Sequence, residues 1–236
     1  MESELNELVT RLKKAHGDSL VSVILYGSAV TGDHQKEFSD LNILSVLSEV
    51  TPRELADAQT VFTWWNEQGN PAPLLLSEHE LATSTDCFAI EFHDIQHRHE
   101  LLFGKDVITP LVIDDSFYRA QVEHELRAKL LRLRTKAAAV LSEKDALRRL
   151  LVDSVSTFCI LFRHALLLHG LNVEPKNRGA IESARIKFEI DALPFTQLLD
   201  VREQIAKPKD IDPEPLLGSY LREISRVVDH VDRLAK

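Results

Sequence analysis

The sequence is short of the features that would set it apart from ordinary globular proteins. It holds two cysteines, Cys87 and Cys159, which allow at most one bridge in a chain of 236 residues, so no disulfide framework supports the fold. The opening Met1-Glu2-Ser3-Glu4 lacks the basic-then-apolar shape of a secretory leader, and a reducing cytoplasm is the expected compartment. Long apolar runs are missing as well: the longest, Phe158 to Leu168, is interrupted by Arg163-His164, so no membrane span is expected. Basic excess is absent. The formal net charge is −9, and a broad nucleic-acid footprint needs clustered Lys and Arg. There is no internal repeat or low-complexity tract, and 44% hydrophobic with 28% charged residues reads as a globular composition.

What the chain does have is concentrated between residues 21 and 47. A β-branched run, Val21-Ser22-Val23-Ile24-Leu25-Tyr26, ends abruptly in Gly27-Ser28-Ala29-Val30-Thr31-Gly32, and a second apolar run spans Leu41 to Leu47. The order implied is strand, glycine turn, helix start, strand. Glycine lets a backbone come close to a ligand, and a helix N-terminus favours an anion, so this turn suits a phosphate held by N–H groups and the Ser28 hydroxyl. Period-two alternation puts residues 40 and 42 on one face of the second strand, where a pair of acids would hold divalent cations against that phosphate. Here the pair is Asp40 and Asn42, so one charge is missing.

These residues resemble the nucleotidyltransferase superfamily of DNA polymerase β type, whose pattern is glycine-serine, a short spacer, then acid-hydrophobic-acid on a strand. Tyr26-Gly27-Ser28 and Ser39-Asp40-Leu41-Asn42-Ile43 carry the likeness, which is nearest the small bacterial kind that includes aminoglycoside and lincosamide nucleotidyltransferases. The resemblance implies an α/β (α+β) fold, with a nucleotidyltransferase-type mixed sheet and helices followed by a C-terminal helical bundle that walls off a cleft. It implies transfer of a nucleoside monophosphate from ATP or another nucleoside triphosphate to a hydroxyl acceptor, a small molecule or a protein. Gly27 and Ser28 are then the nucleotide-binding residues, Asp40 the catalytic one, and Asp40 with Asn42 the ligands of a weakly held magnesium ion. The family also places a third carboxylate on the following strand, where Ala72, Leu74 and Leu76 stand here. Glu91, were its segment a strand, or Asp153 in the helical half is the substitute.

With one acid present, little or no transfer to common acceptors is expected. The alternative function is a catalytically inactive nucleotide-binding or regulatory module; a third is the partner-binding half of a toxin–antitoxin-like pair. A homodimer stays open.

Helical spacing of Leu5, Leu8, Leu12 and Ala15 gives a first helix over 2–16, stopped by Gly17. Thr51-Pro52-Arg53-Glu54 is a capping box that starts a second helix, running to about Asn66. Leu74 to Leu76 reads as a short buried strand, Ser77 to Glu80 as the cap of one helix reaching about Asp94, and residues 100–104 as an edge strand. Beyond Pro110 only helical periodicity remains, over about 116–141, 143–169, 176–190, 194–206 and 214–234. The domains expected are therefore 1–111, nucleotidyltransferase-like, and 112–236, a helical bundle.

Other signals are weaker. His93 and His97 have the spacing of two zinc ligands on a helix, yet no convincing further ligand accompanies them, and a solvated polar face is the plainer reading. Arg163 and His169 match the spacing of HEPN-type ribonucleases, and Arg119 with His124 comes near it by chance. The basic run Arg127, Lys129, Arg132, Arg134, Lys136 reads as a helix exterior, and Trp64-Trp65 as one core ring and one surface ring.

Overall fold

The computed structural model describes residues 1–31, 41–171 and 176–234. Asp40 lies outside the described residues, as does the side chain of Ser28. The chain divides into two compact units, Met1–Phe117 and Tyr118–Lys236.

The first unit is built on a four-stranded mixed sheet of β1 (Leu20–Tyr26), β2 (Asn42–Leu47), β3 (Leu74–Ser77) and β4 (His99–Gly104), in the order β3-β2-β1-β4. β1 pairs antiparallel with both β2 and β4, while β2 and β3 run parallel. Alternation sorts the strand residues onto two faces. Val23, Leu25, Ile43 and Leu47 face α1 (Glu2–His16) and α2 (Pro52–Glu67), whose Leu5, Leu8, Leu12, Val61 and Trp65 complete that core. Ile24, Leu44 and Val46 face α3 (Glu78–Thr83) and α4 (Ala89–His97), with Leu81, Phe92, Ile95, Val107 and Ile108. Trp65 is the core ring of its pair; Trp64 is half-buried under the Arg11 guanidinium, 4.2 Å from its ring centre.

Both capping boxes form. Thr51 with Glu54, and Ser77 with Glu80, satisfy the first N–H groups of α2 and α3 and accept hydrogen bonds from the cap backbone in return. The single helix expected from residue 77 to about 94 is two helices. The hydroxyls of Thr83 and Ser84 donate to the carbonyls of His79 and Glu80, and this polar stretch ends α3 before Phe92 and Ile95 begin a new apolar stripe.

The second unit is helical throughout its described residues: α5 (Tyr118–Val140), α6 (Lys144–Leu167), α7 (Asn177–Phe188), α8 (Leu193–Arg202) and α9 (Pro213–Asp232). α6 packs against each of the other four. Arg163 and His164, which interrupt its apolar run, are themselves buried, and His164 Nδ1 lies 2.7 Å from the Tyr118 hydroxyl. Taken whole, α6 is long and apolar enough to cross a membrane by length and composition, a point the broken run had concealed; 61% of its most apolar stretch is buried in the bundle.

Candidate functional site

β1 delivers the chain to a left-handed turn at Gly27, φ 85°, a conformation that L side chains rarely adopt. The Gly27 N–H donates to the Arg98 carbonyl at 3.1 Å, tying the turn to the end of α4. The expected helix start is a short 3-10 turn, Gly27–Thr31, so the N–H groups it can offer an anion come from turn geometry rather than from the macrodipole of a long helix. A Cβ at position 27 would come within 3.3 Å of Asn42 Nδ2. The glycine is therefore favoured by its dihedral, and a side chain there would also press on the Asn42 amide.

Asn42 is the register partner of Tyr26, which is paired on its other side with His99. The parallel pairing of Leu44 with Leu74 and Val46 with Leu76 keeps side-chain direction in step across β2 and β3. Leu74 and Leu76 therefore stand on the Asn42 face, and Leu74 is 41% exposed there. No carboxylate reaches that face from β3.

Tyr26 opens the Tyr26-Gly27-Ser28 motif, but sequence reasoning assigned it no role of its own. Its phenol titrates above the ordinary tyrosine range, first because it is buried and second because the Glu91 carboxylate disfavours a phenolate. Its place immediately before Gly27, at the end of a strand, was the available signal. Glu91 sits in the first turn of α4, exposed, and not on a strand. Asp153 is exposed on α6, in the second unit. Gly27, Asn42 and Tyr26 thus gather at one end of the sheet.

The weaker motifs find structural uses. His93 Nε2 lies 2.7 Å from an Asp115 carboxylate oxygen, and among the described residues no three His, Cys, Asp or Glu side chains form a metal-sized group. Arg163 is buried in α6, and His169 packs its ring against Phe188 at 5.4 Å. On α5, Glu123 holds Arg119 and Arg127 while Lys129 pairs with Glu125, so those basic residues are engaged along their own helix.

No protein-family model matches the sequence, and no curated protein matches it. The structure of spectinomycin adenyltransferase AAD(9) from Enterococcus faecialis, with ATP and spectinomycin, matches over 99% of this chain and 100% of that one, with a TM-score of 0.62 and 13% identity. A toxin–antitoxin structure with AMP-PNP covers 42% of this chain and 73% of its own, at 14% identity and a TM-score of 0.31. A tri-AMPylated Shewanella oneidensis HEPN toxin with its MNT antitoxin covers 60% and 96%, at 13% identity and 0.32. The full-length match shows the fold: a nucleotidyltransferase-type mixed sheet followed by a helical region.

Proposed function

We propose that this protein binds a nucleoside triphosphate at the Gly27-Ser28 turn and transfers its nucleoside monophosphate to a hydroxyl acceptor. The observation that carries the reading is the left-handed Gly27 facing Asn42 across paired strands, in a fold that matches an ATP-bound adenyltransferase over its full length. Gly27 and Ser28 hold the phosphates, and Asp40 with Asn42 holds magnesium. One carboxylate and one amide oxygen make a hard-oxygen donor set of low charge, which fits magnesium but holds it loosely. Bound there, the ion would neutralise the phosphate charge that grows during transfer. The remaining work is positioning, since phosphoryl-type transfer asks little covalent chemistry of the protein. The working parts are a nucleotidyltransferase-like domain, 1–111, and a helical bundle, 112–236.

Asn42 and Leu74, where acids would serve, favour slow turnover. ATP is the nucleotide to test first, and spectinomycin, sorbitol and glycerol are suitable hydroxyl acceptors. Replacing Gly27 by valine should weaken ATP binding at least about tenfold in calorimetry, because the side chain meets both a forbidden φ and the Asn42 amide. The Arg53→Ala variant on exposed α2 should bind as the wild type does. Unaltered affinity in a folded Gly27→Val variant would overturn the assignment.

A further inference from the structure

Gly27 yields space to a ligand rather than a donor. Its N–H is committed to the Arg98 carbonyl at 3.1 Å, which ties the turn to the end of α4 and takes that hydrogen away from an incoming phosphate. The position a Cβ would take at Gly27 lies 3.3 Å from Asn42 Nδ2, so the side-chain amide borders the hollow that the missing Cβ leaves. Register holds it there: Asn42 pairs with Tyr26, the residue before the turn, and is half-buried at the head of β2. An amide and a carboxylate differ at such a place in kind as well as in charge. An aspartate offers only acceptors and reaches a phosphate oxygen through a cation; an asparagine nitrogen carries two hydrogens and reaches it directly. The carbonyl oxygen of the same amide stays available to a cation. Partial burial strengthens such a bond, because less water competes for the phosphate oxygen.

We propose that Asn42 is a phosphate ligand in its own right, donating from Nδ2 to a non-bridging phosphate oxygen of the nucleotide held at the Gly27 turn, with or without magnesium. This rests on the nucleotide-binding reading above. Part of the affinity for ATP is then independent of magnesium, because the amide supplies the donor that the Gly27 N–H does not. The exchange of a charge for a donor at position 42 makes the site a receptor for the free polyphosphate as well as for its magnesium chelate.

The experiment is titration calorimetry of the full chain with ATP, in magnesium and in excess chelator, comparing the wild type with Asn42→Ala and Asn42→Ser. The wild type should bind ATP in chelator. There Asn42→Ala should weaken binding by about tenfold, the loss expected for one hydrogen bond to a charged group, and Asn42→Ser, which keeps a donor, should recover part of it. A side chain that served only a cation could be removed without changing affinity in chelator, so an Asn42→Ala variant that binds there as the wild type does overturns the proposal. A wild type that binds ATP in magnesium but not in chelator also overturns it, leaving nucleotide binding intact. A loss that Asn42→Ser does not relieve, with a lowered unfolding temperature in both variants, marks a structural role and overturns it as well. A wild type that binds ATP in neither condition brings down the functional reading itself.

Discussion

On one side of the sheet in the first unit, α1 and α2 press Leu8, Leu12 and Trp65 against Val23, Leu25 and Ile43, all of them at or below 1% exposure. On the other side, α3 and α4 cover Ile24, Leu44 and Val46 but leave Leu74 and Leu101 each 41% exposed. The same four strands therefore have a sealed face and a partly open one. Asn42, Tyr26 and the Gly27 turn belong to the open one. Burial on the sealed face carries stability, and the open face is where side chains remain accessible to a ligand.

The sharpest way to break this contrast is to truncate one residue on each face. Trp65→Ala should cost about 3–5 kcal/mol in chemical denaturation, since it empties a fully enclosed volume. Leu74→Ala should cost under about 0.5 kcal/mol, as a half-solvated side chain with little to lose. Similar costs at the two positions would mean that the open face is closed in solution.

A smaller effect is expected at Asn42. Asn42→Asp adds an anionic oxygen facing the Gly27 turn, so magnesium-dependent ATP binding should tighten on the order of tenfold. ATP binding measured in chelator should weaken, because the new charge then faces the triphosphate unshielded. Titration calorimetry with and without magnesium separates the two signs, and a change in the same direction in both would contradict the assignment of Asn42 to the cation.

The smallest effect concerns His16, on the sealed face. Burial lowers its pKa below the ordinary 6.5, with Asp57 and Glu54 pulling the other way. In the unfolded chain it takes up a proton at higher pH than in the fold. Its contribution to stability is therefore present above 6.5 and lost as the pH falls through the folded value. Unfolding free energy followed from pH 7.5 downward should fall more steeply in the wild type than in His16→Gln. Parallel curves would show that His16 is solvated.

The sealed face was the legible one. The spacing of Leu5, Leu8 and Leu12, the capping box at Thr51 and the alternation in Val21 to Tyr26 are local signals, each decided within a few residues of chain. The bundle helices were legible for the same reason, since periodicity needs no partner to be read. The open face depends on pairing between distant segments. That Tyr26 meets Asn42 and His99 together follows from strand order, and strand order is not written in any one segment. Glu91 was noticed for its charge, but its place on a helix depends on where the polar stretch at Thr83-Ser84 breaks the chain. Asp40, the residue on which the motif turns, falls outside the described residues, so its place in the site rests on sequence alone.

The sheet order has a consequence for how the first unit is made. The last strand, β4, pairs with the first, β1, and not with β3 beside which it arrives in sequence. Gly104 at its end, φ 84°, lies so close to the Val21 carbonyl that a side chain there would collide with it, so the closure is tight as well as late. As the chain emerges during synthesis, β1, β2 and β3 can pair while one long edge of β1 still displays unsatisfied N–H and C=O groups, an adhesive template for any neighbouring chain. That edge is protected only once His99 to Gly104 pair with it, and this contact, between the strands farthest apart in the chain, carries the largest loop-closure cost in the sheet.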